Sequence, residues 1–299
     1  MSGGGARMNF AAIDIGTNSI RLLIAEYDGE ELHKLVNELR TPRLGQGIND
    51  GVINKEAQNR AIKVLKEYKE LIDEYQANYR AVATSAIRDA DNKKQFLKSA
   101  KQESGIIIDV INGSQEAELS YLGITNGLGQ SNDNILAIDI GGGSTELVFG
   151  TKDGVTKYNS INLGAVRLKE SWGQDLEKMH CEAQDKLKTV LVDANPKMLV
   201  GVGGTITTLA AIKQSLADYN PEKIQNYQLY NNDIKQLLER LSKLDLAERK
   251  KVVGLAKDRA DIIIPGIIIL LEVMAMSQLK KLRVSDFGIL EGIIYNNFK

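Results

Sequence analysis

Apolar residues recur in two rhythms along the chain, and the switches between them mark the expected elements. From Asn9 to Tyr27 two apolar runs flank Gly16-Thr17-Asn18-Ser19, which predicts strand, turn, strand. Glu31 to Arg40 alternates as a third strand. Behind Asn54, a good N-cap, the positions Ala57, Ala61, Val64, Leu65, Tyr68, Leu71 and Ile72 form one helical face. Tyr79 to Thr84 reads as a short strand, and Asp91 or Asn92 as the cap of a helix running to Gly105. Ile106 to Ile111 reads as another strand, followed by a helix that Ser114 can cap, with Glu116 in its first turn.

The second half continues in the same way. A glycine hairpin at Ile138 to Gly150 leads to the segment Asn162 to Leu168 and a charged helix from about Leu176 to Ala194. A strand, Met198 to Val202, precedes another glycine turn. Surface helices are expected from Asn232 to Leu244 and from Leu246 to Ala256. The apolar run Ile262 to Leu271 is interrupted by Glu272, so it is too short to span a bilayer and reads as a buried element, with Pro265 in its first turn or at a kink. Lys281 to Ser285 reads as a late strand and Gly288 to Phe298 as a terminal helix. Strands alternating with helices predict an α/β architecture. The stretch Asn126 to Asn134, rich in Gly, Ser, Asn and Asp, is the expected domain junction, dividing residues 1–125 from 126–285.

The candidate chemistry lies in an internal repeat. Ile13-Asp14-Ile15-Gly16-Thr17-Asn18-Ser19 and Ile138-Asp139-Ile140-Gly141-Gly142-Gly143-Ser144 share Ile-Asp-Ile-Gly-x-x-Ser, 125 residues apart, each followed by an apolar strand. Successive N–H groups in such a turn form an anion-binding nest. Asp139 and Glu146 bracket the second copy with carboxylates, which suits a metal ion. A third turn, Gly203-Gly204-Thr205, follows a strand and opens a helix, so it also reads as an ordinary helix start. Two matching turns facing each other across a cleft would hold a polyphosphate from both sides. By position, Arg88 reads either as a phosphate clamp or as a surface arginine paired with Asp89 or Asp91. Glu116 reads either as a carboxylate stabilised by a helix dipole or as a group that orients and deprotonates water.

Composition narrows the choice. Net charge is −1, so any polyanion must be met by locally placed Arg, Lys, backbone N–H or metal, and nucleic acid is not an expected partner. One cysteine, Cys181, excludes an internal disulfide framework and fits a reducing cytoplasm. Two distant histidines, His33 and His180, make a zinc site or a Ser-His-Asp triad a poor fit. Met1 to Arg7 reads as a tail without a signal-peptide core.

Six motifs in order resemble those of the exopolyphosphatase/guanosine pentaphosphate phosphohydrolase (Ppx/GppA) family. They are Asp14-Ile-Gly-Thr-Asn-Ser, Ala83-Thr-Ser-Ala-Ile-Arg88, Glu116-Ala-Glu-Leu, Asp139-Ile-Gly-Gly-Gly-Ser-Thr-Glu146, Leu163-Gly-Ala-Val-Arg-Leu and Gly201-Val-Gly-Gly-Thr205. The resemblance runs from Ala11 to about Gly292. It implies two ribonuclease-H-like domains of the actin, sugar-kinase and heat-shock ATPase superfamily around a central cleft, with a terminal helix at about 286–299 returning to the first domain. It also implies that Glu116 is the catalytic residue and Arg88 a phosphate-contacting one. Gln115 stands where many members carry an acid, and Leu290 where members commonly carry Arg. A chain of this length resembles the short form without a C-terminal helical domain.

The implied reaction is hydrolysis of the terminal phosphoanhydride of linear polyphosphate. Asp14, Gly16, Thr17, Asn18, Ser19 and Arg21 of the first loop would bind phosphate, with Gly141, Gly142, Gly143, Ser144 and Thr145 of the second. Gly203, Gly204 and Thr205 sit where relatives in the superfamily contact a nucleotide. Mg²⁺ would be held by Asp139 and Glu146, with Asp14 a third candidate. The alternatives are hydrolysis of guanosine pentaphosphate at the same site, and a non-catalytic regulator that binds (p)ppGpp or polyphosphate. No membrane contact is expected, and apolar residues near the C-terminus are compatible with a homodimer.

Overall fold

The computed structural model describes residues 8–29, 31–46, 51–129, 134–151, 153–191 and 196–298. The expected tail at 1–7, Gly47, part of the expected junction and the end of the charged helix near Ala194 lie outside the described residues. The chain divides into two compact units, residues 1–123 with 289–299, and residues 124–288.

The first unit is built on β1 (Met8–Ile15), β2 (Ile20–Tyr27), β3 (Leu32–Arg40), α1 (Lys55–Glu74), β4 (Asn78–Ala83), α2 (Ser85–Arg88), α3 (Lys93–Ser104), β5 (Ile108–Val110) and α4 (Gly113–Leu128). Its sheet has the order β3-β2-β1-β4-β5, with β1, β2 and β3 antiparallel and β1, β4 and β5 parallel. This is the ribonuclease-H-like order. The period of two sorts the side chains cleanly. Ala11, Ile13 and Ile15 of β1 join Ile20, Leu22 and Ile24 of β2 in the core beneath α1 and α3. Phe10 and Ala12 join Leu23, Ala25 and Val82 on the opposite face, with Leu119 of α4. Asp14 and Arg21 share that second parity and stand directly opposite each other in the β1–β2 register.

Helix α1 is capped by Asn54, whose side chain accepts from the Ala57 N–H, a contact worth about 1 kcal/mol. At α4 the cap differs from expectation. Asn112 accepts from the Gln115 N–H at 3.0 Å, and the Gln115 side chain accepts from the Asn112 N–H at 3.0 Å. This reciprocal pair satisfies two N–H groups at once, while Ser114 turns to Glu118. The helix also runs on through Asn126 to Leu128, into the expected loop, because Ile124 and Leu128 bury their side chains.

The second unit contains β6 (Ile135–Ile140), β7 (Thr145–Thr151), β8 (Gly154–Ile161), α5 (Ala165–Trp172), α6 (Leu176–Leu191), β9 (Met198–Val202), α7 (Gly203–Lys213), α8 (Pro221–Ile224), β10 (Gln228–Tyr230), α9 (Asn231–Ser242), α10 (Leu246–Arg249), α11 (Ile263–Met276) and β11 (Lys281–Val284). Its sheet order, β10-β11-β9-β6-β7-β8, repeats the first pattern with β10 added at the edge. The apolar run becomes α11, buried along nearly its whole length with Pro265 in its first turn. Its Glu272 meets His180 Nδ1 at 2.6 Å, which explains how a carboxylate survives in that helix. The expected helix from Leu246 to Ala256 is one turn only. It ends at Arg249; farther on, Gly254 takes φ +85° and an added Cβ there would collide with the Ala211 backbone, so the helix does not run on to Ala256. Among the described residues no helix is long and apolar enough to cross a membrane.

The last helix, α12 (Ile289–Asn297), belongs to the first unit and packs on β1 and β2. Leu290 lies in the apolar cluster on that face, so at this position the side chain fills the core. Gly292 sits so close to α4 that an added Cβ would collide with the Leu119 carbonyl. Burial pushes the hydroxyls of Tyr121 on α4 and Tyr295 on α12 up to about 12, so both stay neutral in the packed state. Replacing Gly292 with Ala should therefore drive α12 off α4 at a cost of about 1–3 kcal/mol. The expected outcome is a lowered melting temperature in calorimetry. An unchanged transition would show that this approach tolerates a side chain.

Candidate active site

In the first unit the glycine turn closes through the Gly16 N–H bonded to the Ser19 carbonyl at 2.9 Å. A loop braces it from behind: the Arg43 N–H donates to the Asn18 carbonyl and the Gly45 N–H to the Thr17 carbonyl. Gly45 lies so near the Thr17 methyl that no side chain fits there. Inside the turn, Thr17 Oγ1 lies 3.0 Å from Ser85 Oγ. Asn18 is 7% exposed, and its buried Nδ2 has no acceptor among the described residues. A buried amide N–H without a partner is costly, so an anionic oxygen in this turn fits the donor. Ser19 is half-buried beside it.

Asp14, just before the turn, accepts from Arg21 Nε at 3.1 Å and Nη2 at 2.7 Å. The sequence assigns both to phosphate, and Asp14 also to a metal; in the structure they form an ion pair, so Arg21 neutralises the carboxylate.

The contact between Thr17 and Ser85 leads to the second feature of this unit. Ser85 and Arg88 are three residues apart on α2, a four-residue helix where the sequence pattern shows only a strand end. Arg88 Nη1 donates to Glu116 Oε2 at 2.9 Å, and Arg88 Nε lies 3.5 Å from Asp89. The surface pair with Asp89 is therefore present, but the shorter contact goes to Glu116. Lys93 Nζ donates to the Arg88 carbonyl at 2.7 Å and fixes the end of α2. Glu116 is 8% exposed, whereas Glu118 in the same motif is exposed and meets Ser114. The turn, α2 and α4 are thus tied by a run of side-chain contacts: Thr17 to Ser85, then Arg88 to Glu116.

In the second unit the equivalent turn closes through the Gly141 N–H on the Ser144 carbonyl at 2.9 Å. The start of α5 backs it. The N–H groups of Ala165 and Val166 donate to the carbonyls of Gly141 and Gly142, and Arg167 Nε donates to the Gly143 carbonyl at 3.0 Å. Gly164 lies against Gly142 and Gly143 with no room for a side chain. Ser144 is buried at the tip. Thr145 is fully buried and gives its hydroxyl to the Leu163 carbonyl, so its side chain holds the α5 connection in place.

Asp139 and Glu146 are direct partners in the β6–β7 register and share one face. Glu146 is 3% exposed and accepts from Ser160 Oγ at 2.9 Å. Facing carboxylates repel unless a cation or proton joins them. The matching position in the first unit carries Arg21, so the two repeats differ in charge at equivalent sites. Two carboxylates form the hard-oxygen donor set that Mg²⁺ takes, with water and substrate oxygens completing its shell. Among the described residues no group of three or more His, Cys, Asp or Glu forms a cage.

The third turn meets the second through this pair. Gly203 has φ +82°, and an added Cβ would collide with Asp139 Oδ1. Gly204 lies directly under the Arg259 guanidinium, where again no side chain fits. Thr205, buried, packs on Gly266 of α11. Arg259 is not among the residues expected from sequence. It lies 55 residues from Gly204 with no spacing to connect them, and only the need for glycine at 204 hints at a large neighbour.

The match to the Ppx/GppA phosphatase family model covers residues 23–299. Exopolyphosphatase 2 of Mycobacterium tuberculosis is 35% identical, over 95% of this chain and 96% of that protein. A bifunctional 3-dehydroquinate synthase/phosphatase of Fusobacterium nucleatum is 36% identical over 88% of this chain, which spans 43% of that longer protein. The crystal structure of an exopolyphosphatase from Cytophaga hutchinsonii has a TM-score of 0.90 at 30% identity, covering 97% of each chain. With its two ribonuclease-H-like sheets, its paired glycine turns and these matches, the chain belongs to the Ppx/GppA phosphatase family.

Proposed function

We propose that this protein is an exopolyphosphatase, releasing orthophosphate from the end of linear polyphosphate by attack of water. The observation that carries this reading is the Arg88–Glu116 contact, 2.9 Å long, tied through Ser85 to a glycine turn whose Asn18 Nδ2 has no acceptor among the described residues. Relatives named exopolyphosphatase at 30–35% identity support it.

The residues divide the work by chemistry. Backbone N–H groups of the first turn and Asn18 Nδ2 hold the oxygens of the terminal phosphoryl group. Glu116 orients the attacking water and takes its proton. A guanidinium carries five N–H donors, so Arg88 can hold Glu116 through Nη1 and still meet charge developing on the phosphoryl oxygens. Asp139 and Glu146 fit Mg²⁺, which when bound neutralises phosphate charge that would repel an incoming oxygen. Ser160 fixes the orientation of Glu146.

Phosphate release from tripolyphosphate, long-chain polyphosphate and guanosine pentaphosphate, each with Mg²⁺, tests the reading. Release from polyphosphate is expected. Release from guanosine pentaphosphate alone would replace it with the nucleotide activity, and tight binding without release would leave a regulator. In the Glu116→Gln variant kcat should fall by about 10²–10⁴-fold with KM little changed. Near-normal turnover would remove Glu116 from the reaction. Ser160→Ala should raise the Mg²⁺ concentration for half-maximal rate by roughly 10–100-fold, as loss of an orienting partner does at a metal ligand. An unchanged Mg²⁺ dependence would mean that Glu146 does not hold the ion.

A further inference from the structure

Helix α3 carries four lysines and one glutamate in twelve residues. Glu103 is tied to Lys66 of α1 at 3.1 Å. Phe96, Ala100 and Ser104 form the buried face. Lys94, Lys98 and Lys101, spaced i, i+4 and i+7, form a single exposed stripe away from that face. None of the three has an ion-pair partner among the described residues. At 1.5 Å per residue the stripe runs about 10 Å along the helix.

The bland explanation, lysines complementing the helix dipole, covers Lys101 in the last turn but not Lys94 in the first. That first turn holds no acidic residue. Three unpaired ammonium groups in a row repel each other, on a chain whose net charge is −1. The stripe also has a defined starting point. Lys93, adjacent to Lys94, holds the Arg88 carbonyl, and Arg88 holds Glu116. The start of α3 therefore abuts the end of α2, which carries Arg88.

We propose that Lys94, Lys98 and Lys101 form a track for the outer phosphates of a long polyphosphate chain while its end lies at Arg88 and Glu116. This rests on the exopolyphosphatase reading for the position of the chain end. The track selects for length: a tripolyphosphate is held at the chain end, whereas longer chains also reach the lysines. The contacts are solvent-exposed ammonium-to-phosphate pairs, so their effect fades with ionic strength.

The test compares the wild type with the triple variants Lys94→Gln/Lys98→Gln/Lys101→Gln and Lys94→Arg/Lys98→Arg/Lys101→Arg. Labelled long-chain polyphosphate is titrated onto each protein at several salt concentrations, and rates are measured on long-chain polyphosphate and tripolyphosphate. For the Gln variant, long-chain affinity is expected to fall about tenfold at low salt with a shallower salt dependence, since fewer charges are neutralised on binding. Its kcat/KM on tripolyphosphate should stay within about twofold, as surface substitutions away from a site usually allow, and the Arg variant should bind like the wild type. Unchanged long-chain binding, or an equal loss on both substrates, would overturn the track. If the wild type hydrolyses neither substrate but loses long-chain binding in the Gln variant, the hydrolytic reading fails and the track stands. If the wild type binds no polyphosphate, both fail.

Discussion

A carboxylate held at 8% exposure must have a partner, because burial of an unpaired charge costs several kcal/mol. Glu116 has Arg88, and much of the first unit serves to keep those two groups together. The Ala83 carbonyl receives the Ile111 N–H, which aligns the ends of β4 and β5, from which α2 and α4 depart. Lys93 pins the end of α2, and the Asn112–Gln115 pair fixes the start of α4. Gly292 lets α12 lie directly on α4 one turn beyond Glu116. Loosening any of these supports changes the separation of two charged groups in a poorly solvated place, where electrostatic energies depend steeply on distance.

The repeat gives each unit the same backbone device and a different charge. Both turns follow a strand whose final residues include an aspartate, and both are backed by a segment that approaches too closely for a side chain, at Gly45 in one and Gly164 in the other. Across the strand pair, however, Asp14 faces Arg21 while Asp139 faces Glu146. An acid and a base thus face each other beside the first turn, and two acids face each other beside the second. On the proposed function, this single cross-strand difference gives the first unit the anion and the second the cation.

How much of this the sequence shows depends on the range of the interaction. The glycine turns, the strand parity and the helical face of α1 are local, and the periods and turn residues reveal them. The burial that separates Glu116 from Glu118 also follows from position on a helix face. Ser114 is the cap that the local pattern suggests for α4, although the pair that forms, Asn112 with Gln115 three residues on, is local too. Elements set by tertiary packing are less visible. The helix expected from Leu246 to Ala256 stops after one turn, and Gly254, within the expected span, is held at φ +85° against a backbone more than forty residues away. Arg259 over Gly204 cannot be read from spacing, since nothing local connects them. The α2 turn escapes detection because a four-residue helix has no period, yet it joins Thr17 to Arg88.

In the proposed reaction Arg88 and Glu116 act as a unit, and a double-mutant cycle tests that most directly. Phosphate release would be measured for Arg88→Met, Glu116→Gln and the combined variant. If Arg88 holds Glu116 in its working position, the combined loss in kcat should be smaller than the product of the single losses by about tenfold or more. Losses that multiply would show two residues acting independently, and would contradict the central role of their contact.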